Sequence, residues 1–187
     1  MTRLPVVLVD MDEVLVDLLS AWCAQYHQLG GELLAPACFK HYGWEDQVGD
    51  KKLFLQVLKS GGMFYSAKPR SGALEGFKAL CRDFDTFVVT KVMSNAGRTY
   101  DGKLHWMWRH FPAFDRGRII FTGHKHLVHG DWLIDDSVAN LDAWCRADPA
   151  GERTPILMDR PFNQEELSFH RVSDLMEAHA FITESIK

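Results

Sequence analysis

Two carboxylates two residues apart, Asp10 and Asp12, follow the apolar run Pro5-Val6-Val7-Leu8-Val9. A short β-rich run of this kind reads as a buried strand, so its end delivers both acids into a loop. In open α/β sheets, ligands gather beyond the carboxyl ends of the strands. Acids placed there can hold a hard cation such as Mg²⁺, which prefers oxygen ligands. One of them can also attack phosphorus as a nucleophile. Alone, Asp-x-Asp reads equally well as an acidic surface turn, and three further strand ends decide between the two. Thr90 closes the apolar run 86–89, Lys125 follows the run 118–121, and Asp135 and Asp136 close the run 131–134. In that order they make a phosphoryl-transfer set. The acids and a metal handle nucleophile and charge, a hydroxyl with neighbouring amides grips phosphate oxygens, and a lysine neutralises them as a point charge. Singly, each has an ordinary explanation: a β-branched strand end, a solvated charge, a cap for the helix near Val138. An accidental order of all four does not.

The elements that must position these residues alternate. Apolar runs at 6–10, 86–89, 118–121, 131–134 and 155–158 predict five strands. Helical spacing recurs between them. Leu18, Leu19, Trp22, Tyr26 and Leu29 mark a helix over 17–29 that Gly30-Gly31 stops. Residues 51–58 form a second pattern, and Ser71 is the expected N-cap of a helix through Arg82. Residues 99–111 follow, with Leu104, Met107, Trp108 and Phe111 on the packed face and Trp106 off it. Further helices are expected at 138–146 and 173–185. Strands alternating with helices predict a Rossmann-like α/β fold, a largely parallel sheet with helices on both faces. Residues 17–68 are too long for one ordinary crossover. They are expected to form a small, mainly helical cap inserted after the first strand, with 1–16 and 69–187 as the core.

Bulk properties narrow the partners. A formal charge of −4 offers no basic excess for a nucleic-acid polymer, while leaving local phosphate binding open. With 187 residues and 47% of them hydrophobic, a sizeable core is available. No run approaches the roughly 20 apolar residues that span a bilayer, so no membrane association is expected. No charged stretch followed by an apolar core marks a signal peptide. Cys23, Cys38, Cys81 and Cys145 are scattered without a Cys-x-x-Cys pair, as expected of reduced thiols in a cytoplasmic protein. His124, His126 and His129 lie close together, and His105 and His110 flank a helix, but none shows familiar zinc-ligand spacing.

The four motifs together resemble those of the haloacid dehalogenase superfamily of aspartate-nucleophile phosphatases. Val9-Asp10-Met11-Asp12-Glu13-Val14-Leu15-Val16-Asp17, Ile120-Phe121-Thr122-Gly123-His124-Lys125, Trp132-Leu133-Ile134-Asp135-Asp136-Ser137 and Asp159-Arg160-Pro161-Phe162-Asn163 resemble more narrowly the 5′(3′)-deoxyribonucleotidase branch. The resemblance implies that Asp10 attacks phosphorus and forms an aspartyl-phosphate. Asp12 protonates the leaving ribose oxygen and then deprotonates water. Mg²⁺ is held by the Asp10 carboxylate, the Asp12 carbonyl and the Asp136 carboxylate, with Asp135 in support through water. Thr90 and the Lys91 amide bind phosphate oxygens, and Lys125 holds Asp10 and phosphate in register. Glu13 stands where many superfamily members have glycine, and adds negative charge near the mouth.

The implied substrate is a small phosphomonoester, a deoxyribonucleotide, hydrolysed by a monomer or homodimer. Trp44, Phe64 and Tyr65 in the insertion are candidates to sandwich a nucleobase, because aromatic faces stack on any base. They serve equally well as the insertion's own core. Lys68 and Arg70 are either an anion guide or a solvated hinge. A sugar-phosphate phosphatase would share fold and mechanism and differ only in cap contacts. A receiver domain is disfavoured because its acidic pair comes first and its phosphorylated Asp third. A non-catalytic binding module is disfavoured by the complete acidic set.

Overall fold

The computed structural model describes residues 3–92 and 97–186. Six parallel strands form one sheet: β1 (Val6–Val9), β2 (Asp85–Thr90), β3 (Ile119–Phe121), β4 (Trp132–Asp135), β5 (Thr154–Met158) and β6 (His170–Val172), in the order β3-β2-β1-β4-β5-β6. Five coincide with the apolar runs. The sixth, His-Arg-Val, is too short and polar to show in hydropathy. The chain leaves β1 toward β2 and β3 on one side and toward β4 and β5 on the other. The ends of β1 and β4 therefore flank the point where strand order reverses, which is where such sheets place ligands.

Both faces of the sheet are covered, as a parallel sheet requires. Val7 and Val9 of β1 point into one buried cluster with Val88, Ile134, Ile156, Phe77, Leu80, Trp106 and Ile182. Leu8 points the other way, onto Val89, Leu133, Leu157, Leu141 and Trp144. This period-two alternation in an all-apolar strand is what burial on both faces demands.

Between β1 and β2 lie the helices α1 (Leu18–Gln28), α2 (Lys51–Ser60) and α3 (Met63–Ser66), with short 3-10 turns before α2. Trp22, Tyr26, Phe39 and Phe54 of this segment pack on one another and join the cluster under the sheet. Asp50 caps α2 by accepting from the Leu53 amide at 2.9 Å. Gly61, at φ 64°, ends it in the left-handed conformation that glycine adopts freely. The segment is tied to the core at its base, where Val16 bridges Pro69 and the Asp17 amide donates to the Lys68 carbonyl.

α4 (Ala73–Asp83) begins one residue later than expected, and Ser71 does not cap it. Gly72 takes the cap position at φ 72° with no side-chain bond. α5 (Gly97–His110) buries Met107, with Phe111 just past its end, as expected, and corrects the expected packing face at the two tryptophans. Trp106 is fully buried and its indole N–H donates to the Ala67 carbonyl, whereas Trp108 is exposed beneath the Arg116 guanidinium. α6 (Val138–Arg146) and α7 (Leu175–Ser185) complete the layers, with Asp174 capping α7 through the Met176 and Glu177 amides. No helix among the described residues is long and apolar enough to cross a membrane.

Candidate active site

A cleft of about 430 Å³ opens over the carboxyl ends of β1 and β4, and its floor is charged. Asp10, Asp12, Lys125 and Asp136 line it, with Lys91, Thr122, Ser137 and Asn140 around them. Its upper wall comes from the segment between β1 and β2: Leu18, Tyr42, Trp44, Phe54 and Leu58. An apolar wall facing a few convergent charges is the usual make-up of a small-molecule site.

Asp10 sits one residue past the central strand, and its own amide donates to the Ile134 carbonyl of β4. Its Oδ1 accepts from the Met11 amide and lies 2.7 Å from Lys125 Nζ. Oδ2 has no hydrogen-bond donor among the described residues. Lys125 is buried and also reaches Asp135 Oδ2 at 2.6 Å. Burial alone would depress its pKa. The Asp10 and Asp135 carboxylates outweigh that effect and hold the ammonium above its ordinary range.

The adjacent acids Asp135 and Asp136 divide their work. Asp135 has both oxygens occupied, by Lys125, the Ser137 amide and the Asn140 side chain. Burial pushes its pKa up to about 6, against the pull of Lys125. Asp136 is 2% exposed, and its Oδ1 has no hydrogen-bond partner among the described residues. Burial, then the neighbouring Asp135 and Asp10 carboxylates, hold it well above the usual carboxylate range. Carboxylate oxygens of Asp10, Asp135 and Asp136 lie within 4.8 Å of one another. A buried acid with an orphaned oxygen beside two others is a costly arrangement without a cation. The donor set, all oxygen, fits a hard divalent ion.

Asp12 occupies the next turn of the loop. Its Oδ2 accepts from Lys103 Nζ at 2.6 Å, and its Oδ1 is a second buried oxygen without a partner among the described residues. Burial raises its pKa while Lys103 opposes the rise. Lys103 also donates to Thr90 Oγ1 at 2.7 Å. The sequence reading missed Lys103. Its signal was weak, since a lysine on the packed side of a helix reads as a break in the apolar stripe.

The Glu13 carboxylate is held by groups outside the cleft lining. Glu13 adopts φ 57°, lines the cleft and is 1% exposed. Its carboxylate accepts from the Leu19 amide in the first turn of α1 and from Arg70. Glu13 therefore supplies the α1 cap that the Asp17 side chain does not. Burial raises its pKa to about 7, with Arg70 opposing. Arg70 also pairs with Asp17 at 3.0 Å, which makes it a buttress at the base of the insertion. The loop after β5 braces the same floor. Arg160 donates to the Glu13 carbonyl, and Asn163 donates to the Asp136 and Met158 carbonyls.

The remaining candidates separate. Lys91 and Trp44 line the cleft, while Thr90 lies just behind its surface, fully buried. Phe64 is buried beneath Lys103, 5.4 Å from Nζ to the ring centroid. Tyr65 is half exposed and packs on His105. Neither Phe64 nor Tyr65 is among the cleft-lining residues. Tyr42 and Phe54, which spacing did not single out, take the places beside Trp44.

The fold is that of haloacid dehalogenase-like hydrolases. A haloacid dehalogenase-like hydrolase from Burkholderia xenovorans superposes with a TM-score of 0.60 at 17% identity over the whole of both chains. A hydrolase of the same family from Deinococcus radiodurans, solved with bound phosphate and sodium, gives 0.58 at 17% identity over 100% of this chain and 96% of that one. The chain belongs to the family described as 5′ nucleotidase, deoxy (Pyrimidine), cytosolic type C protein, whose model matches residues 4–186, which makes it a phosphoric monoester hydrolase. A 5′(3′)-deoxyribonucleotidase of Bacillus subtilis is 27% identical over 172 residues, covering 92% of this chain and 95% of that protein.

Proposed function

We propose that this enzyme hydrolyses deoxyribonucleoside monophosphates to nucleoside and phosphate through an aspartyl-phosphate on Asp10, with Mg²⁺ as its cofactor. The observation that carries the reading is the Asp10 carboxylate, pinned through Oδ1 at the end of β1 with Oδ2 left for attack, under a wall of Tyr42, Trp44 and Phe54. A pinned carboxylate is a near-attack arrangement that needs no reorganisation.

In this reading Asp10 Oδ2 attacks phosphorus as the bond from phosphorus to the sugar oxygen breaks. Asp12 gives that oxygen a proton. Water then attacks the phosphoryl group, Asp12 takes the water proton, and the Asp10 carboxylate is regenerated. Lys125 keeps Asp10 in line and balances the charge of the phosphoryl oxygens, and Thr90 and the Lys91 amide grip them. Asp10, Asp136 and the Asp12 carbonyl would hold the ion, with Asp135 fixing Lys125 beside it. The bound ion would neutralise charge on the transferring phosphoryl group.

The segment 17–68 acts as a cap, and Trp44 with Tyr42 and Phe54 faces the base. The name of the Bacillus relative supports a deoxyribonucleotide substrate, and the family description supports a pyrimidine. The test is phosphate release from a panel of deoxyribonucleotides, ribonucleotides and sugar phosphates, with Mg²⁺ or a chelator. Mg²⁺-dependent release from deoxyribonucleotides is the expected result. Release from sugar phosphates alone would retain the chemistry and discard the nucleotide.

A further inference from the structure

Lys103 enters the site from α5, and three parts of the molecule meet at its ammonium. Nζ donates to Asp12 Oδ2 at 2.6 Å and to Thr90 Oγ1 at 2.7 Å, and it stands over the Phe64 ring. The Lys103 side chain is 1% exposed, while that of Asp12 is 32% exposed and lines the cleft. An ammonium with its donors directed at two oxygens has little freedom left, and an aromatic face beneath it is attractive when the ammonium is buried.

The ring is itself fixed by close packing of α3 on α5. A Cβ at Gly102 would meet the Gly61 carbonyl oxygen at 3.0 Å and Phe64 Cβ at 3.1 Å, so the bare glycine permits the approach. One turn on, Trp106 Nε1 donates to the Ala67 carbonyl at 3.0 Å and locks the same contact. The position of Nζ is therefore set by the insertion as well as by the sheet.

We propose that Lys103, seated on Phe64, is a positioning residue that aims the Asp12 carboxyl at the leaving-group oxygen, so that α3 of the insertion sets the acid step. The inference rests on the acid/base reading of Asp12 given above. In that step the bond from phosphorus to the sugar oxygen breaks, the electron pair goes to oxygen, and the Asp12 proton follows it. A nitrophenyl leaving group carries the pair away as nitrophenolate and needs no proton. Any effect of Lys103 through Thr90 and the phosphate is common to both substrates.

The experiment compares kcat/KM for a deoxyribonucleoside monophosphate and for 4-nitrophenyl phosphate, with Mg²⁺ present, in four variants. This constant covers only the steps through departure of the first product, so later hydrolysis of the phosphoenzyme does not enter. Asp12→Asn is expected to lower the nucleotide-to-aryl ratio by about 100-fold or more, the range of general acid catalysis. Lys103→Met is expected to lower the ratio at least about tenfold, since a mis-aimed acid forfeits part of that gain. Phe64→Leu keeps an apolar support without the ring and is expected to lower it about threefold. Gly102→Ala, which displaces Phe64, should move the ratio the same way. Phe64→Leu and Gly102→Ala carry the test if Lys103→Met does not fold by thermal melting. Equal losses on both substrates in the Lys103, Phe64 and Gly102 variants, with Asp12→Asn selective, would overturn the positioning role alone. Equal losses in Asp12→Asn would remove the acid/base reading and this inference with it.

Discussion

Lys125 Nζ lies 2.7 Å from Asp10 Oδ1, and both groups are nearly sealed from solvent, at 4% and 9% side-chain exposure. The pair joins the end of the central strand to the loop after β3, and Asp135 closes the triangle from β4. Three strand ends are thus held together by one ammonium.

Removing that ammonium should cost stability as well as activity. Lys125→Met leaves Asp10 and Asp135 buried without their cation, a loss of about 3–5 kcal/mol by the general cost of breaking buried pairs. Urea unfolding of the metal-free protein reads it directly. A loss below about 1 kcal/mol would mean that the triangle contributes little to the fold.

Glu13 sets two effects against each other. Its φ of 57° disfavours a side chain by roughly 1–2 kcal/mol, which Glu13→Gly would relieve. The same change uncaps α1 and leaves Arg70 and Arg160 facing no carboxylate at this position, at a cost of about 3–5 kcal/mol. The buried charge wins, so Glu13→Gly is expected to destabilise by about 1–4 kcal/mol in urea, the difference between those terms. A stabilised variant would show that the backbone strain dominates.

Metal removal and pH are linked. Asp12, Asp135 and Asp136 all have pKa values raised above the unfolded value, chiefly by burial. An acid with a raised folded pKa binds more protons when folded. The metal-free protein therefore loses stability as pH climbs from about 4 through the folded values, about 6 for Asp135. A bound cation replaces those protons. Added Mg²⁺ should raise the melting temperature more at pH 7.5 than at pH 5. An equal shift at both pH values would place the ion away from these acids.

The cleft wall separates the aromatic candidates. Trp44→Ala should raise KM for deoxyribonucleotides about 5- to 100-fold, since stacking contributes about 1–3 kcal/mol per base. It should leave KM for 4-nitrophenyl phosphate less affected. Tyr65→Ala, outside the cleft lining, should change neither. A Tyr65 effect as large as that of Trp44 would require a different seat for the base.

The strand ends were legible because each chemical residue follows an apolar run: Asp10, Thr90 and Asp135 by sequence adjacency, Lys125 within a few residues. Contacts made across the fold were not. Lys103 lies 91 residues from Asp12 and 13 from Thr90, and nothing in its neighbourhood marks it as buried. The expected stripe of α5 shares Met107 and Phe111 with the buried face, which carries Thr99, Lys103 and Trp106 in place of Trp108. The same holds for Arg160 and Asn163, whose bonds run to main-chain carbonyls that spacing cannot reveal. β6 was hidden because an edge strand of three residues buries only Val172.

The most direct test of the account is Mg²⁺-dependent phosphate release from a deoxyribonucleoside monophosphate by the parent enzyme and by Asp10→Asn, with melting curves to confirm that both are folded. The account predicts turnover by the parent that a chelator abolishes, and a folded Asp10→Asn protein with activity lower by at least about a thousandfold, as expected when a nucleophile is removed. A folded Asp10→Asn protein that still turns over near the parent rate would contradict it.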